Sequence, residues 1–383
     1  TAFANGEDFK LSADADITGQ SVSVPAGKSV VLDLNGYTLT ADNSATGKII
    51  VLGKMTLKDS STEKKGKIVA SQDYTAASYN GSLIEIAGED ASMTMESGNI
   101  SAVRETPDSN GQYGVGVTDG GDFTMTGGTD GELISTADYA VYLPQSGTTT
   151  ISGGKVYGAA GGVCIQRGTL NVEGTALITS KGTGSTGNWG DGTGGLDCAA
   201  INVSGAYGIA TVNIKGGTLI AEAKSLITEG TTYTPVINVT GGTFSDPSVL
   251  KYMATNATVD IKLLSNINIA KTELATGYIL NAANATANLN LNGHDIINSS
   301  ETADATPFTQ IFTVQNGTLN ISGNGNVKCD ASATAKDDGY RMVIEARGYG
   351  TVNIHGGSYY NTQKLNTQIA VSYTHLRAHE TPE

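Results

Sequence analysis

Short runs of alternating apolar and polar residues recur along the chain, and most of them end in a pair of glycines. The clearest copies are Phe123–Thr129, Thr149–Lys155, Thr211–Thr218, Val236–Phe244 and Thr351–Tyr359. An alternation over about three to five residues is typical of a short strand with one buried face. The glycine pair permits a positive φ at the bend that follows, which residues with a Cβ adopt only at a cost.

Further short apolar runs precede and follow many of these copies. They are Leu83–Ile86, Val115–Val117, Leu133–Ile134, Val141–Leu143, Val163–Ile165, Leu177–Ile178, Leu219–Ile220, Leu226–Ile227, Ile311–Val314 and Met342–Ile344. The repeating unit is therefore strand, turn, strand, glycine turn, strand, with a period of roughly 20 to 30 residues. A single unit cannot bury its apolar face, whereas units stacked about 4.8 Å apart form one continuous core. The pattern predicts an all-β fold, a parallel β-helix (β-solenoid) of roughly a dozen coils.

A longer repeat is superimposed on the short one. Leu11–Ile17 is similar to Leu263–Ile269, and Leu32–Leu39 is similar to Leu289–Ile296. The members of each pair lie roughly 250 to 260 residues apart, and small loop insertions explain the drift in this offset. The chain therefore contains two related modules.

The boundary between the modules is expected near a short helix. Asp246 is followed by Pro247, and this pairing is typical of a helix N-cap and first helical residue. We expect a first module over residues 1–257 and a truncated second module over 258–370. Residues 371–383 resemble the translation of a sequencing adaptor, so we expect this tail to be non-native.

The sequence resembles one known family of repeat proteins. The segments Leu32–Leu39, Thr240–Phe244 and Asp246–Tyr252 resemble the right-handed, single-stranded, pectin-lyase-like β-helices of bacterial surface proteins. The resemblance covers nearly all of residues 10–370. It implies an extracellular or cell-surface adhesin or structural stalk that contacts glycans or host-surface ligands. The same fold also serves polysaccharide lyases, glycoside hydrolases and phage tail fibres or tailspikes, and these stay as alternatives.

Composition narrows the range of partners. The 383 residues include 23 Lys and Arg but 37 Asp and Glu, giving a net charge of −14, which argues against nucleic-acid binding. No apolar run approaches the ~18 residues of a membrane span, so we expect no membrane insertion. Three cysteines cannot staple a chain of this length. A disulfide between Cys164 and Cys198 is compatible with their similar places in the repeat, and it would leave Cys329 unpaired.

Candidate catalytic residues are few. The catalytic motifs of polygalacturonase-like relatives are missing, and the nearest substitute is Asp337 and Asp338 with Arg341. Paired carboxylates beside an arginine suit acid–base chemistry on a glycan, but an acidic surface turn explains them equally well. The first module has no equivalent pair. We therefore expect a non-enzymatic module and keep the lyase or hydrolase as an alternative. Monomer and trimer both stay open.

Candidate ligand-binding residues centre on the longest interruption of the repeat. The only tryptophan, Trp189, lies there beside Asn188 and Asp191, and an aromatic face between polar groups suits stacking on a sugar. Tyr207 and Tyr233 belong to coils near the same loop. Asn188 and Asp191 also offer oxygen ligands for calcium, but the nonapeptide repeat that builds calcium sites in β-helices does not recur. We therefore predict no metal site and no cofactor.

Overall fold

Parallel β-strands form almost all of the regular structure, as the sequence predicts. The computed structural model describes residues 2–20, 22–42, 48–71, 81–102, 112–127, 132–135, 139–158, 161–180, 199–221, 226–230, 232–269, 277–298, 308–329 and 340–361. The chain divides into two compact units, Thr1–Ile237 and Asn238–Glu383. The predicted module boundary after residue 257 stays a prediction.

The first unit contains three ladders, each a series of hydrogen-bonded parallel strands. Ladder A contains Phe9–Lys10, Ser29–Asp33, Lys54–Lys58, Ser92–Met95, Asp122–Met125, Thr148–Ile151, Gly168–Val172 and Ala210–Ile214. Ladder B contains Ala15–Asp16, Thr38–Ala41, Lys67–Ala70, Asn99–Ser101, Glu132–Ser135, Lys155–Gly158, Leu177–Ser180 and Thr218–Ala221. Ladder C contains Val22–Val24, Ile49–Val51, Gly81–Ala87, Gln112–Thr118, Tyr139–Leu143, Gly161–Ile165, Ile201–Val203 and Ile227–Glu229. The strand Val236–Val239 lies at the boundary of the units.

The chain visits the three ladders in strict rotation. Each strand in ladder A is followed by one in B and one in C, and the next strand returns to A. Pairing keeps equivalent positions opposite each other, so that Met93 lies between Met55 and Phe123. The apolar positions consequently form continuous buried rows, such as Leu32, Leu57, Met95, Met125, Ile151, Val172 and Ile214 in ladder A. Stacking of these rows removes apolar surface from water that no single strand could bury.

The length of one rotation varies more than the predicted period. Asn171 donates a hydrogen bond to Thr150, 21 residues earlier, whereas Asn213 donates to Asn171, 42 residues earlier. Both pairs nevertheless occupy neighbouring strands of ladder A. The extra residues of the longer rotation lie between strands, where insertions leave the ladder register intact.

The second unit is built on a long and a short ladder. Ladder D contains Thr243–Phe244, Thr258–Lys262, Tyr278–Asn290, Phe308–Ser322 and Tyr340–Ile354, and ladder E contains Ile267–Ile269, Ile296–Asn298, Asn326–Cys329 and Ser358–Asn361. The predicted helix is a 3₁₀ helix over Pro247–Tyr252, and the Asp246 carboxylate accepts a hydrogen bond from the Ser248 backbone at 2.6 Å. The first unit has one short helix, Ala2–Asn5.

Strand length in ladder D departs from the prediction. The sequence pattern separates Ile311–Val314 from the next apolar run by a turn, but one strand, Phe308–Ser322, includes both. Its register with Tyr340–Ile354 shifts between Val314 and Asn316. A β-bulge therefore absorbs the bend while strand pairing continues on both sides.

The Leu32–Leu39 turn of the first unit is held by side chains from neighbouring strands. Asn35 has a φ of 50°, and its amide donates to the Leu11 carbonyl at 3.0 Å. The Asp33 carboxylate accepts from the backbones of Asn35 at 3.0 Å and Ser60 at 2.9 Å. Burial raises the pKa of Asp33, but the hydrogen bonds from Ser60 and Asn35 and the charge of Lys10 outweigh it and lower the pKa below 3.8.

Asp59 anchors the same turn from the next strand of ladder A. Its side chain is 1% exposed and accepts backbone hydrogen bonds from Gly36 at 2.8 Å, Ser61 at 3.0 Å and Gly66 at 2.6 Å. Burial raises the pKa of Asp59, but the hydrogen bonds from Ser61, Gly66 and Gly36 outweigh it and lower the pKa below 3.8. A buried carboxylate thus ties three stretches of backbone together.

The related turn of the second unit has the same backbone form with different partners. Asn292 has a φ of 52°, and its amide donates to the Leu263 carbonyl at 2.8 Å. Its backbone donates to the Asn290 side chain at 2.8 Å. The Gly293 N–H, which corresponds to that of Gly36, donates to the Asn324 carbonyl at 2.6 Å. A backbone carbonyl therefore occupies the role that the Asp59 carboxylate has in the first unit.

Candidate functional site

The predicted ligand-binding residues divide between described and undescribed parts of the chain. Tyr207 and Tyr233 are described, whereas Trp189, Asn188 and Asp191 lie outside the described residues. The glycan-loop hypothesis for these three residues therefore stays a prediction.

The predicted catalytic residues have a similar status. Asp337 and Asp338 lie outside the described residues. The backbone of Arg341 lies in the strand Tyr340–Ile354, in register with Thr309, but its side chain is not among those described. The proposed acid–base cluster likewise stays a prediction.

Two turns at neighbouring strands of ladder C carry the described tyrosines. Ile201 and Ile227 lie opposite each other in the ladder, and the chain turns outward after each of these strands. Gly205, in the first turn, has a φ of +56°, and a Cβ there would lie 2.7 Å from the Tyr233 carbonyl oxygen of the second turn. The glycine therefore permits the two turns to approach closely.

Both tyrosines leave much of their side chains in contact with solvent. Tyr207 is 54% exposed and Tyr233 is 48% exposed. The same two segments expose Ile209 by 59% and Val236 by 46%. We call these four residues the tyrosine surface. Exposed aromatic and aliphatic groups this close in the fold are a recognised mark of an interaction surface, and phenol rings offer both a stacking face and a hydroxyl.

A second aromatic cluster lies on ladder C and was missed by sequence reasoning, which treated most tyrosines as scattered surface residues. The rings of Tyr113 and Tyr142 stack with centroids 4.1 Å apart and an interplanar angle of 14°. Tyr142 donates from its hydroxyl to Gln166 at 2.9 Å, and Asn202 donates to the Tyr139 hydroxyl at 2.9 Å. We call these residues, with the adjacent Cys164, the buried tyrosine cluster.

The buried tyrosine cluster is built for packing. Tyr139 and Asn202 are 0% exposed, so neither can meet a ligand from solution. A Cβ on Gly161 would lie 2.6 Å from the Tyr139 ring, which shows that the glycine makes room for the ring. This pairing of a tyrosine with a glycine on the neighbouring strand is the signal that sequence inspection could have used.

An ion pair lies on the same ladder. Lys48 is bonded through Nζ to Glu85 Oε2, and Glu85 lies in register with Gly116 on the next strand. Burial lowers the pKa of Lys48. A partly buried lysine and carboxylate can exchange a proton, but the pair sits beside tightly packed side chains rather than in an open cleft.

Cysteine and metal chemistry complete the inventory. Cys164 and Cys329 are buried, and Cys198 lies outside the described residues, so the suggested disulfide stays a prediction. In the part of the chain that the structure describes, no group of three or more His, Cys, Asp or Glu side chains is placed to hold a metal ion. Among the same residues, no helix has the length and apolar character needed to span a membrane.

Comparisons with known proteins do not assign the chain to a family. A scan against protein-family models, a search of curated proteins and a search of solved structures each gave no match. The argument for function consequently rests on the described geometry.

Proposed function

We propose that the chain is a module of a secreted or cell-surface protein, folded as a right-handed parallel β-helix, which serves as an adhesin or structural stalk and contacts glycans. The observation that carries this proposal is the strict rotation of the chain through ladders A, B and C in the first unit. A chain that returns to the same ladder every third strand, always in parallel, supports a coiled path around a shared core.

Rows of outward-facing polar side chains support a stalk. In the second unit, Asn353 donates to Asn320 at 2.8 Å, and Asn320 donates to Asn288 at 2.8 Å. Asn288 donates in turn to Asp260 at 3.0 Å. Such a row couples strand to strand through side chains in addition to the backbone. Cooperative coupling along the stack suits a part that must keep its form outside the cell.

The tyrosine surface supports glycan contact. Sugars present C–H faces that stack on aromatic rings and hydroxyls that accept or donate hydrogen bonds. Tyr207 and Tyr233 supply two rings at the same edge of ladder C, and their exposure leaves the ring faces accessible. The net charge of −14 favours neutral over acidic glycans as ligands, because an anionic sugar would be repelled.

A glycan array with a matched control tests this proposal. The wild-type chain is compared with a Tyr207→Ala, Tyr233→Ala double variant and with Tyr349→Ala, whose side chain is 90% exposed in the second unit. We expect binding to be reduced at least about tenfold in the double variant, equivalent to about 1.4 kcal/mol, and unchanged in Tyr349→Ala. A Trp189→Ala variant tests the loop hypothesis separately.

Two outcomes would contradict the proposal. Absence of binding by the wild-type chain to every glycan on the array would remove the glycan function. Equal binding by the wild-type chain and the double variant would remove the tyrosine surface as its site.

A further inference from the structure

We propose that Asn324 is a site of spontaneous deamidation, selected by the fold from among five described Asn-Gly pairs. The pairs are Asn5–Gly6, Asn35–Gly36, Asn292–Gly293, Asn316–Gly317 and Asn324–Gly325. Glycine after asparagine favours this reaction because no Cβ hinders the backbone nitrogen. Two further asparagines that precede glycine, Asn80 and Asn110, lie outside the described residues.

The reaction needs two groups to be free at once. The glycine nitrogen loses its proton to base and attacks Cγ of the asparagine side chain, and the C–N bond of the side-chain amide breaks to release ammonia. Water then opens the cyclic imide at either carbonyl and leaves aspartate or isoaspartate. One water is consumed, one ammonia is released, and no oxidant is required. A hydrogen bond from the glycine N–H or from the asparagine amide slows the first step, because it must be broken before the ring can close.

The two related turns protect both groups. In the first unit, the Asn35 amide donates to Leu11 at 3.0 Å and the Gly36 N–H donates to Asp59 at 2.8 Å. In the second unit, the Asn292 amide donates to the Leu263 carbonyl at 2.8 Å, and the Gly293 N–H donates to the Asn324 carbonyl at 2.6 Å.

The other two pairs are each held by one bond. The Gly6 N–H donates to the Phe3 carbonyl at 3.1 Å. The Asn316 amide donates to the Asn281 side chain at 2.5 Å, within the paired strand Phe308–Ser322. Either bond restrains one of the two reacting groups.

The Asn324–Gly325 pair has neither restraint. Asn324 is exposed, and within the described chain neither its side-chain amide nor the Gly325 N–H takes part in a hydrogen bond. Its fixed contacts are carbonyl contacts, because the Asn324 carbonyl accepts from Gly293 and the Gly325 carbonyl accepts from Ser358 at 2.9 Å. Those bonds hold the backbone of the turn and leave the reacting atoms open.

Deamidation would change the charge of a defined groove. Asn324, Gly325, Asn326, Gly357 and Ser358 line a polar groove of about 340 Å³. Asn326 already donates from its backbone at 2.9 Å and from its side chain at 2.7 Å to the Asp295 carboxylate. A carboxylate at position 324 would add a second negative charge to this groove, which is otherwise lined by amides, a hydroxyl and backbone.

Peptide mapping by mass spectrometry tests the proposal. The full chain is incubated folded at mildly alkaline pH, and the conversion of amide to acid is followed at all five pairs. We expect Asn324 to react at least about tenfold faster than Asn292 or Asn35, equivalent to about 1.4 kcal/mol in activation free energy. In denaturant the five rates should converge, because the fold alone separates them. An Asn324→Gln variant should lose the fast site while the other rates stay unchanged.

Two results would overturn the proposal. One is a folded-state rate at Asn324 that does not exceed the rate at Asn292. The other is persistence of the rate difference in denaturant, which would assign the selectivity to local sequence instead of the fold.

Discussion

The two related turns solve one structural problem with different chemistry. In both, an asparagine with a φ near 50° donates to a leucine carbonyl of the preceding strand, and a glycine N–H needs an acceptor from the following strand. The first unit supplies the buried carboxylate of Asp59, whereas the second supplies the backbone carbonyl of Asn324. The comparison teaches that the backbone form of the turn is set by its Asn-Gly pair, while its response to pH depends on the neighbouring strand.

The largest expected effect comes from removing the carboxylate. Asp59→Ala leaves three buried or half-buried N–H groups without their acceptor, so we expect a loss of about 3 kcal/mol in the free energy of unfolding. The matched variant is Asn290→Ala, which removes one acceptor, at 2.8 Å from Asn292, on an exposed turn. We expect a loss of about 1 kcal/mol there. Denaturant unfolding of both variants provides the measurement, and equal losses would show that the carboxylate has no special role.

Acid should separate the turns next. The pKa values of Asp33 and Asp59 are lowered below 3.8 in the folded chain, so the stabilisation by these carboxylates is complete above about pH 4 and is lost as the pH falls through the folded-state values. The Asn290 and Asn324 acceptors do not titrate. The stability difference between wild type and Asp59→Asn should therefore shrink on acidification, as measured by thermal unfolding at a series of pH values. A constant difference from neutral to acidic pH would contradict the proposed charge on Asp59.

Alkali should act on the second unit with a smaller effect. Burial raises the pKa of Tyr359 from 10.0 to about 12, and its hydroxyl donates to the Gly356 carbonyl at 2.8 Å. Stabilisation by a raised pKa is complete below the unfolded value and is lost as the pH rises through the folded value. Since the ring is partly exposed, we expect a loss of about 1 kcal/mol between pH 10.0 and about 12. Tyr359→Phe should abolish this loss, and an unchanged alkaline profile in that variant would assign the loss to another group.

Much of the fold follows from local patterns in the sequence. The strand Thr148–Ile151 lies within the predicted Thr149–Lys155 run, and the Asp246 cap and Pro247 helix start are confirmed. These features depend on near neighbours in the chain, namely an alternation of period two, a glycine bend and an Asp-Pro pair. Such signals are legible without knowledge of what packs against them.

Contacts between strands far apart in sequence were harder to predict. Asp59 binds Gly36 from the next strand, and the second module has Gly323 and Asn324 in the corresponding region, so aligning the two modules gave no hint of the carboxylate's role. The buried tyrosine cluster depends on glycines of neighbouring strands, whose register varies with loop length. The bulge after Val314 was predicted as a turn because both begin with an interruption of the apolar alternation.

Cross-linking of neighbouring strands tests the central claim most directly. Thr124 and Thr150 lie opposite each other on adjacent strands of ladder A, and Asn171 lies one strand further, opposite Thr150. Adjacent parallel strands are about 4.8 Å apart, which a disulfide can span, whereas twice that distance is too far. Under mild oxidation, the Thr124→Cys, Thr150→Cys variant should form a cross-link detectable by peptide mapping, and the Thr124→Cys, Asn171→Cys variant should not. A cross-link in the second variant without one in the first would contradict the stacking of successive turns.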